Sequence, residues 1–291
     1  MVDPLGFRSN PETALDNAFQ VAPSVPDTAP VEEAARAEFE ALKNALLAVG
    51  VQVETHVPPN AATPDAVFPN NWFTTSADGT LVLYPMRALS RRDERWPALV
   101  TWLGERYPTV VDLRATETRG AFLEGTGSLV IDEPSRIVYA SVSSRTDPGL
   151  VAEWAKRFGY APHVFRAADR DGREVYHTNV VIGLGDKWAV VCGEAIRAPE
   201  ERARVVESLE KTGHDVVQIT LDQMHDFCGN VLELENGNGE KFVVMSERAR
   251  RSFQPEQLAA LSRHAAPLHV DLTTIETFGG GSARCMLAEL H

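Results

Sequence analysis

The chain has 291 residues, 44% of them hydrophobic, with 28 basic against 41 acidic side chains, a formal charge of −13 and a pI near 5.1. That negative excess argues against a broad contact with nucleic acid or anionic lipid, and no stretch approaches the roughly twenty apolar residues that cross a bilayer. Three cysteines, Cys192, Cys228 and Cys285, are odd in number and far apart, which fits a reduced, cytoplasmic compartment better than a disulfide framework.

From the N-terminus, Met1-Val2-Asp3-Pro4-Leu5-Gly6 lacks the cationic and apolar regions of a leader, and the Pro-, Ala- and Asn-rich stretch over 1–30 reads as a loop wrapping the surface. Helical apolar spacing then runs over 31–49, followed by β-like runs at 80–84, 128–131 and 137–142. The Asp147-Pro148 start signal opens a helix over 150–158. Further runs at 180–182, 188–191, 216–219, 231–235 and 242–244 read as strands, with helices over 197–212 and 255–264. The pattern is mixed α/β in four or five strand-rich units, and no linker or composition shift divides it. A single catalytic domain over 1–291 is expected.

The sharpest local chemistry is Gly279-Gly280-Gly281-Ser282-Ala283-Arg284-Cys285-Met286. Three successive glycines let a loop bring amide groups and a thiol close to a ligand, although an isolated Cys is more often a small core residue. Cys192 sits in an apolar strand and reads as core. Gly229 and Asn230 put Cys228 in a loop near the site. A nucleophilic thiol needs a proton shuttle and a group to orient it. His177 opens the strand-like Tyr176-His177-Thr178-Asn179-Val180, and Glu124 lies in the Gly-framed Phe122-Leu123-Glu124-Gly125. His225 and Asp226 form another polar cluster, with a capped loop as the alternative. No zinc spacing, phosphate loop or dinucleotide fingerprint occurs, so neither a metal nor a cofactor is implied.

In order along the chain, these segments resemble those of arginine deiminases and dimethylarginine dimethylaminohydrolases, the guanidine-modifying (pentein) superfamily. Phe122-Leu123-Glu124-Gly125 is similar to their Glu-Gly segment, His177 falls where their catalytic His sits, Cys228-Gly229-Asn230-Val231 looks like their Cys/Asn-rich segment, and 279–286 resembles their nucleophile loop. Pro64-Asp65-Ala66-Val67-Phe68 and Ser144-Arg145-Thr146 resemble substrate-binding segments of the dimethylarginine enzymes. Citrulline-utilisation hydrolases look like the nearest subgroup. The resemblance implies a five-bladed α/β propeller with the site on its axis. Cys285 would attack the substrate carbon, His177 would shuttle the proton, Glu124 would orient His177, and Arg145 with Arg87 would hold an α-carboxylate. The loop amides at Gly280 and Gly281 would stabilise the oxyanion.

Two departures bear on the substrate. Asn70 and Asn71 stand where the dimethylarginine enzymes carry an acidic pair, and Asn179 stands where arginine deiminase has an Asp. Neutral amides both donate and accept, which matches a ureido group better than a guanidinium, with Asp65 as the one anionic contact. The expected reaction is therefore hydrolysis of citrulline to ornithine, carbon dioxide and ammonia. The alternatives are deimination of arginine or methylated arginine, and a non-catalytic propeller that binds an amino acid. The expected partner is a small amino-acid substrate, and a homo-oligomer is left open.

Overall fold

The computed structural model describes residues 1–21 and 29–291. Its strands form four three-stranded blades of one repeating plan: an antiparallel inner pair, then a helical crossover into a parallel outer strand. The first blade contains β1 (Phe73–Thr75), β2 (Thr80–Leu83) and β3 (Thr109–Asp112), and the second β4 (Val130–Asp132), β5 (Ile137–Ser141) and β6 (Ala161–Phe165). The third contains β7 (Ile182–Leu184), β8 (Trp188–Val191) and β9 (Asp215–Gln218). The fourth contains β10 (Leu232–Glu235), β11 (Lys241–Ser246) and β12 (Ala266–Val270). A parallel pairing of β7 with β10 joins the last two into one six-stranded sheet.

Among the described residues the fifth sector of the propeller has no complete blade. It is filled by α1 (Ala29–Ala48), by the parallel bridge between Val2 and His56, and by the C-terminal segment, where Thr75 Oγ1 donates to Glu289 O at 2.9 Å. Helix α1 buries Ala35, Phe39, Leu42 and Leu46, a stripe at helical spacing, in a cluster that also holds Phe68, Ile275 and Cys285. Thus the N-terminal helix packs behind the segment that carries Cys285.

Between inner and outer strands run α2 (Leu89–Arg92) and α3 (Pro97–Arg106) in the first blade, α5 (Pro148–Phe158) in the second and α6 (Pro199–Lys211) in the third, with α4 (Gly125–Ser128) leading into β4. The fourth blade has α7 (Leu221–His225) before β10, then α8 (Glu247–Ser252) and α9 (Pro255–Ser262), and α10 (Thr273–Gly279) follows β12. Helix α5 starts where Asp147 Oδ1 accepts from Leu150 N at 2.9 Å, stops at left-handed Gly159, and buries Leu150, Val151, Trp154 and Ala155. Among the described residues no helix is long and apolar enough to cross a membrane.

Several expectations need correcting. The runs at 128–131 and 180–182 begin as turns: Gly125–Ser128 is helical and Thr178–Val180 is a 3-10 turn, so the strands start later, at Val130 and Ile182. The N-terminal stretch is loop, but it does not wrap the surface. Phe7, Asn10, Thr13, Asn17 and Phe19 are buried, inserted over one end of the propeller axis. The part of that expectation at 22–28 lies outside the described residues, and the rest of it, 29–30, belongs to α1.

Candidate active site

Each blade delivers polar side chains from the short turn that precedes its first inner strand. The 3-10 turn Pro69–Asn71 leads toward β1, Glu124 caps α4 before β4, His177 caps the turn Thr178–Val180 before β7, and Asn230 precedes β10. The C-terminal segment brings Cys285. Helix α10 closes at Gly280, φ +64, whose N–H donates to Glu276 O at 3.0 Å. The following turn is fixed by Cys285 N–H on Ser282 O, also 3.0 Å.

Asn71, Asp65, His177 and Cys285 line one cavity, together with Thr13, Asn17, Phe68, Arg91, Arg145, Tyr176 and Gly279 to Gly281. His177 and Glu124 are both buried, with Nε2 and Oε2 2.8 Å apart. Burial alone would raise the Glu124 carboxyl, but Arg145, His177 and Arg91 outweigh it and hold it at about 2. An ionised carboxylate only accepts, so Nε2 carries the proton and the imidazole's lone pair is on Nδ1. Burial lowers the His177 pKa, against the opposing pull of Glu124. Burial likewise raises the Cys285 thiol, with Asn230 as the largest opposing influence. The resting pair is therefore neutral thiol and neutral imidazole.

Two amides face the sulfur. Asn230 Nδ2 donates to Cys285 Sγ at 3.2 Å and Asn179 Nδ2 at 3.6 Å. Asn71 also lines the cavity: its Oδ1 accepts from Arg91 Nη1 at 2.7 Å, while its Nδ2 is buried without a partner. That nitrogen lies beside the His177 ring over Gly127, where a Cβ would fall within 2.5 Å of Nδ2 and 2.7 Å of the imidazole. Only glycine fits there. Asp65 Oδ2 accepts from Asn10 at 2.8 Å and Thr13 at 3.1 Å, and its Oδ1 is buried and unpaired.

Three expectations change. Asn70 does not line the cavity, because its Nδ2 is turned to Thr126 Oγ1 at 3.2 Å. The Gly280 N–H is engaged inside the α10 cap and is not a free oxyanion donor, and the Gly280 carbonyl accepts from Tyr176 Oη and Asn17 Nδ2. Gly281 does line the cavity, 3.2 Å from Cys285 Cβ measured from where its own Cβ would be. Arg87 and Arg145 converge as expected, but onto a carboxylate of the chain itself. Asp16 Oδ2 accepts from Arg87 Nη1 at 2.9 Å, and Asp16 Oδ1 binds the Arg145 guanidinium, whose Nη1 lies 3.6 Å from Glu124 Oε2.

With the N-terminal segment in this position, the cavity leaves about 10 Å³ for the centre of a water molecule, too little for an amino acid. The segment is tied down at both ends, by Asn10 on Asp65 and by Asn17 on the carbonyls of Gly279 and Gly280.

Cys192 and Cys228 are core residues. Cys228 lies in the turn 226–229 just before Asn230, but its Sγ donates to Ala249 O at 3.4 Å and it does not line the cavity. His225 packs against Phe19, and Asp226 accepts from Ser252 Oγ at 2.9 Å, so neither belongs to the site. Asp16, Asn17, Thr13, Arg91, Tyr176 and Asn230 were not foreseen as site residues. Asn230 was signalled by its place beside Cys228 in the matched segment, and Arg91 by its i,i+3 spacing to Glu94.

An α/β propeller of pentein type that buries a thiol, an imidazole and a carboxylate at one end of its axis has the architecture of guanidine-modifying hydrolases. Residues 3–291 match the profile described as N,N dimethylarginine dimethylhydrolase, eukaryotic, and the chain belongs to that family. Among solved structures, the arginine dihydrolase ArgZ of cyanobacteria superposes with a TM-score of 0.75 at 18% identity, over 98% of this chain and 39% of ArgZ. The chain thus spans about two fifths of that protein. The ArgZ N-terminal domain bound to product gives 0.73 at 18% identity, covering 98% of this chain and 94% of the domain. A dimethylarginine dimethylaminohydrolase adduct with S-methyl-L-thiocitrulline gives 0.65 at 16% identity, over 96% of each chain. At these identities the likeness establishes the fold. No curated protein matches the sequence.

Proposed function

We propose that the protein is a cysteine-dependent hydrolase whose preferred substrate is L-citrulline, converted to ornithine, carbon dioxide and ammonia. The observation that carries this reading is a pair of buried, unpaired polar atoms on two residues that line the cavity: Asn71 Nδ2, a donor, and Asp65 Oδ1, an acceptor. A ureido group has a carbonyl oxygen for the first and N–H groups for the second. A guanidinium has only donors and would leave the Asn71 N–H₂ opposed and unsatisfied.

In this reaction Cys285 Sγ bonds to the ureido carbon as its proton passes to His177 Nδ1. The carbonyl oxygen becomes an oxyanion, to which amide donors at the cavity wall can give hydrogen bonds. His177 returns the proton to the ornithine nitrogen as that C–N bond breaks, leaving an S-carbamoyl thioester. Water, losing a proton to His177, attacks the same carbon; the C–S bond breaks, the thiol is reprotonated and carbamate leaves to decay. Glu124 keeps His177 in the required tautomer. Arg87 and Arg145 receive the α-carboxylate once Asp16 has moved off them, which requires the N-terminal segment to lift.

The buried, unpaired Asp65 oxygen also favours a second reading, in which a cationic guanidino group of arginine or methylated arginine is hydrolysed. ArgZ is named an arginine dihydrolase, and an enzyme of that kind would also pass ornithine from arginine. The test is to incubate the protein with citrulline, arginine and dimethylarginine, to identify amino-acid products and ammonia, and to use Cys285→Ser as control. Ornithine from citrulline, lost in the variant, supports the assignment. Citrulline accumulating from either arginine substrate overturns it.

A further inference from the structure

A second cavity lies along the propeller axis and takes no part in the roles assigned above. It offers about 570 Å³ to the centres of water molecules and is lined by the first inner strand of every blade, β1, β4, β7 and β10, and by the C-terminal segment. It shares no lining residue with the cavity that holds Cys285, and none of residues 1–21 reaches it. Glu133, Pro134 and Asp186 at its rim are exposed, so it opens to solvent. Its inner end comes close to the thiol. Asn179 lines it, and the Nδ2 of that residue is 3.6 Å from Cys285 Sγ. Thr126 lines it too, with its Oγ1 accepting from Asn70 Nδ2 at 3.2 Å, and so does Val231, next to the Asn230 whose Nδ2 is 3.2 Å from the sulfur.

One layer of amide side chains thus separates this rear cavity from the sulfur. Within the layer, Asn70 Oδ1 and Asn230 Oδ1 are buried with no hydrogen-bond partner among the described residues. A carbonyl oxygen in such a place is ordinarily satisfied by an ordered water, and the rear cavity lies beside both residues to supply one. The reaction needs a water there. A citrulline whose α-carboxylate rests on Arg87 and Arg145 fills the space between those arginines and the thiol, so ornithine stands across the front when the thioester forms. We propose that the rear cavity is the entry for the hydrolytic water, which passes the Asn70, Asn179 and Asn230 amides to reach the S-carbamoyl carbon from the side opposite the N-terminal segment. This inference rests on the ureido reading of the site.

Competition between water and hydroxylamine for the S-carbamoyl enzyme tests it. The hydroxylamine nitrogen bonds to the carbamoyl carbon, the C–S bond breaks, a proton passes to the sulfur and hydroxyurea leaves. Each ornithine released marks one acyl-enzyme formed, so the hydroxyurea-to-ornithine ratio reads access to the thioester and not the rate of its formation. Leu184→Trp narrows the rear cavity from the end of β7, at a position with no role in the site. It is expected to lower the ratio about tenfold, because the bulkier hydroxylamine is excluded more than water. Ornithine release in the first turnover stays as in the parent. A ratio that keeps the parent's value overturns the inference and puts the entry at the front, whatever the first turnover does. Should Leu184→Trp not fold, Ala288→Trp narrows the cavity from the C-terminal segment and lowers the ratio in the same way. A parent that releases no ornithine from citrulline defeats the ureido reading. Oxidation of the Cys285 thiol by hydrogen peroxide then decides the route: slower in the two variants, it supports a rear entry, and at the parent's rate it refutes one.

Discussion

Glu276 is a buried carboxyl that holds the segment leading to Cys285 through Ser282, and its environment makes a thermodynamic prediction. It lies on α10 with no exposed surface; its Oε1 accepts from Ser282 Oγ at 2.6 Å, and its main-chain oxygen takes the Gly280 N–H. Oε2 is 3.2 Å from Arg248 Nε but lacks an aligned hydrogen bond, so one oxygen is short of a donor. Burial therefore wins over Ser246, Ser282 and Arg248, with Glu38 adding repulsion, and the pKa rises from 4.5 to about 7. At roughly 1.4 kcal/mol per pH unit, that displacement corresponds to about 3 kcal/mol. The folded value lies above the unfolded one, so this group's contribution is fully present below pH 4.5 and is lost as pH rises toward 7. Glu276→Gln does not titrate and lacks that slope. Urea unfolding near pH 4.5 and at pH 8 is expected to show a wild type that loses about 3 kcal/mol more than the variant between the two conditions. Parallel pH dependences in the two proteins would refute the reasoning.

Two further predictions concern the site itself. Because burial lowers His177 from 6.5 and raises Cys285 from 9.0, the neutral pair persists between those values. The pH profile of kcat/KM should show a broad plateau, with an acid limb below pH 6.5 as the imidazole protonates and an alkaline limb above pH 9 as the thiol proton leaves; a narrow bell centred near neutrality would contradict it. Asp16→Ala removes the carboxylate that engages Arg87 and Arg145, so KM for citrulline should fall by about tenfold, the worth of one displaced charge-assisted contact, and Cys285 should alkylate faster. A rise in KM would instead mean that Asp16 grips the substrate.

The place of Cys285 at the cavity was readable because its pattern is local: a glycine run ending a helix, then a thiol. The periodic helices were readable for the same reason, with α1 and α5 found within two residues of their expected starts. The outer strands β6 and β12 were not. Ala161-Pro162-His163-Val164-Phe165 and Ala266-Pro267-Leu268-His269-Val270 each carry a proline and lie half exposed at a sheet edge, where neither apolar alternation nor a full ladder is demanded. The late starts of β4 and β7 have a different cause. Leu129-Val130-Ile131 and Val180-Val181-Ile182 are apolar on both sides of the boundary, so hydrophobicity cannot mark where turn becomes strand. The N-terminal segment was misplaced because, apart from Phe7 and Phe19, the side chains that hold it inside are polar. Asn10, Thr13, Asp16 and Asn17 are held by partners 52 to 263 positions away, such as Asp65, Arg145 and Gly280. A local reading gives such a segment no reason to be inside.

The electrostatics of the empty site bear on its substrate independently of the shape of the cavity. Two neutral amides steady the sulfur, yet the thiol stays above its usual range because burial outweighs them. A guanidinium docked against Cys285 would change this balance, since a cation in a dry site favours the thiolate and disfavours a second positive charge on His177. A ureido group brings no charge. It leaves the proton to move from a neutral thiol to a neutral imidazole whose Nε2 is held by a carboxylate fixed at about 2, and that carboxylate offsets the imidazolium as it forms. The two arginines that line the cavity, Arg91 and Arg145, are already matched by Glu94, Asp16 and Glu124, so a neutral reacting group disturbs no pairing at the thiol end. Its α-carboxylate, by contrast, must take the place of Asp16, which makes departure of the N-terminal segment and arrival of substrate two halves of one exchange.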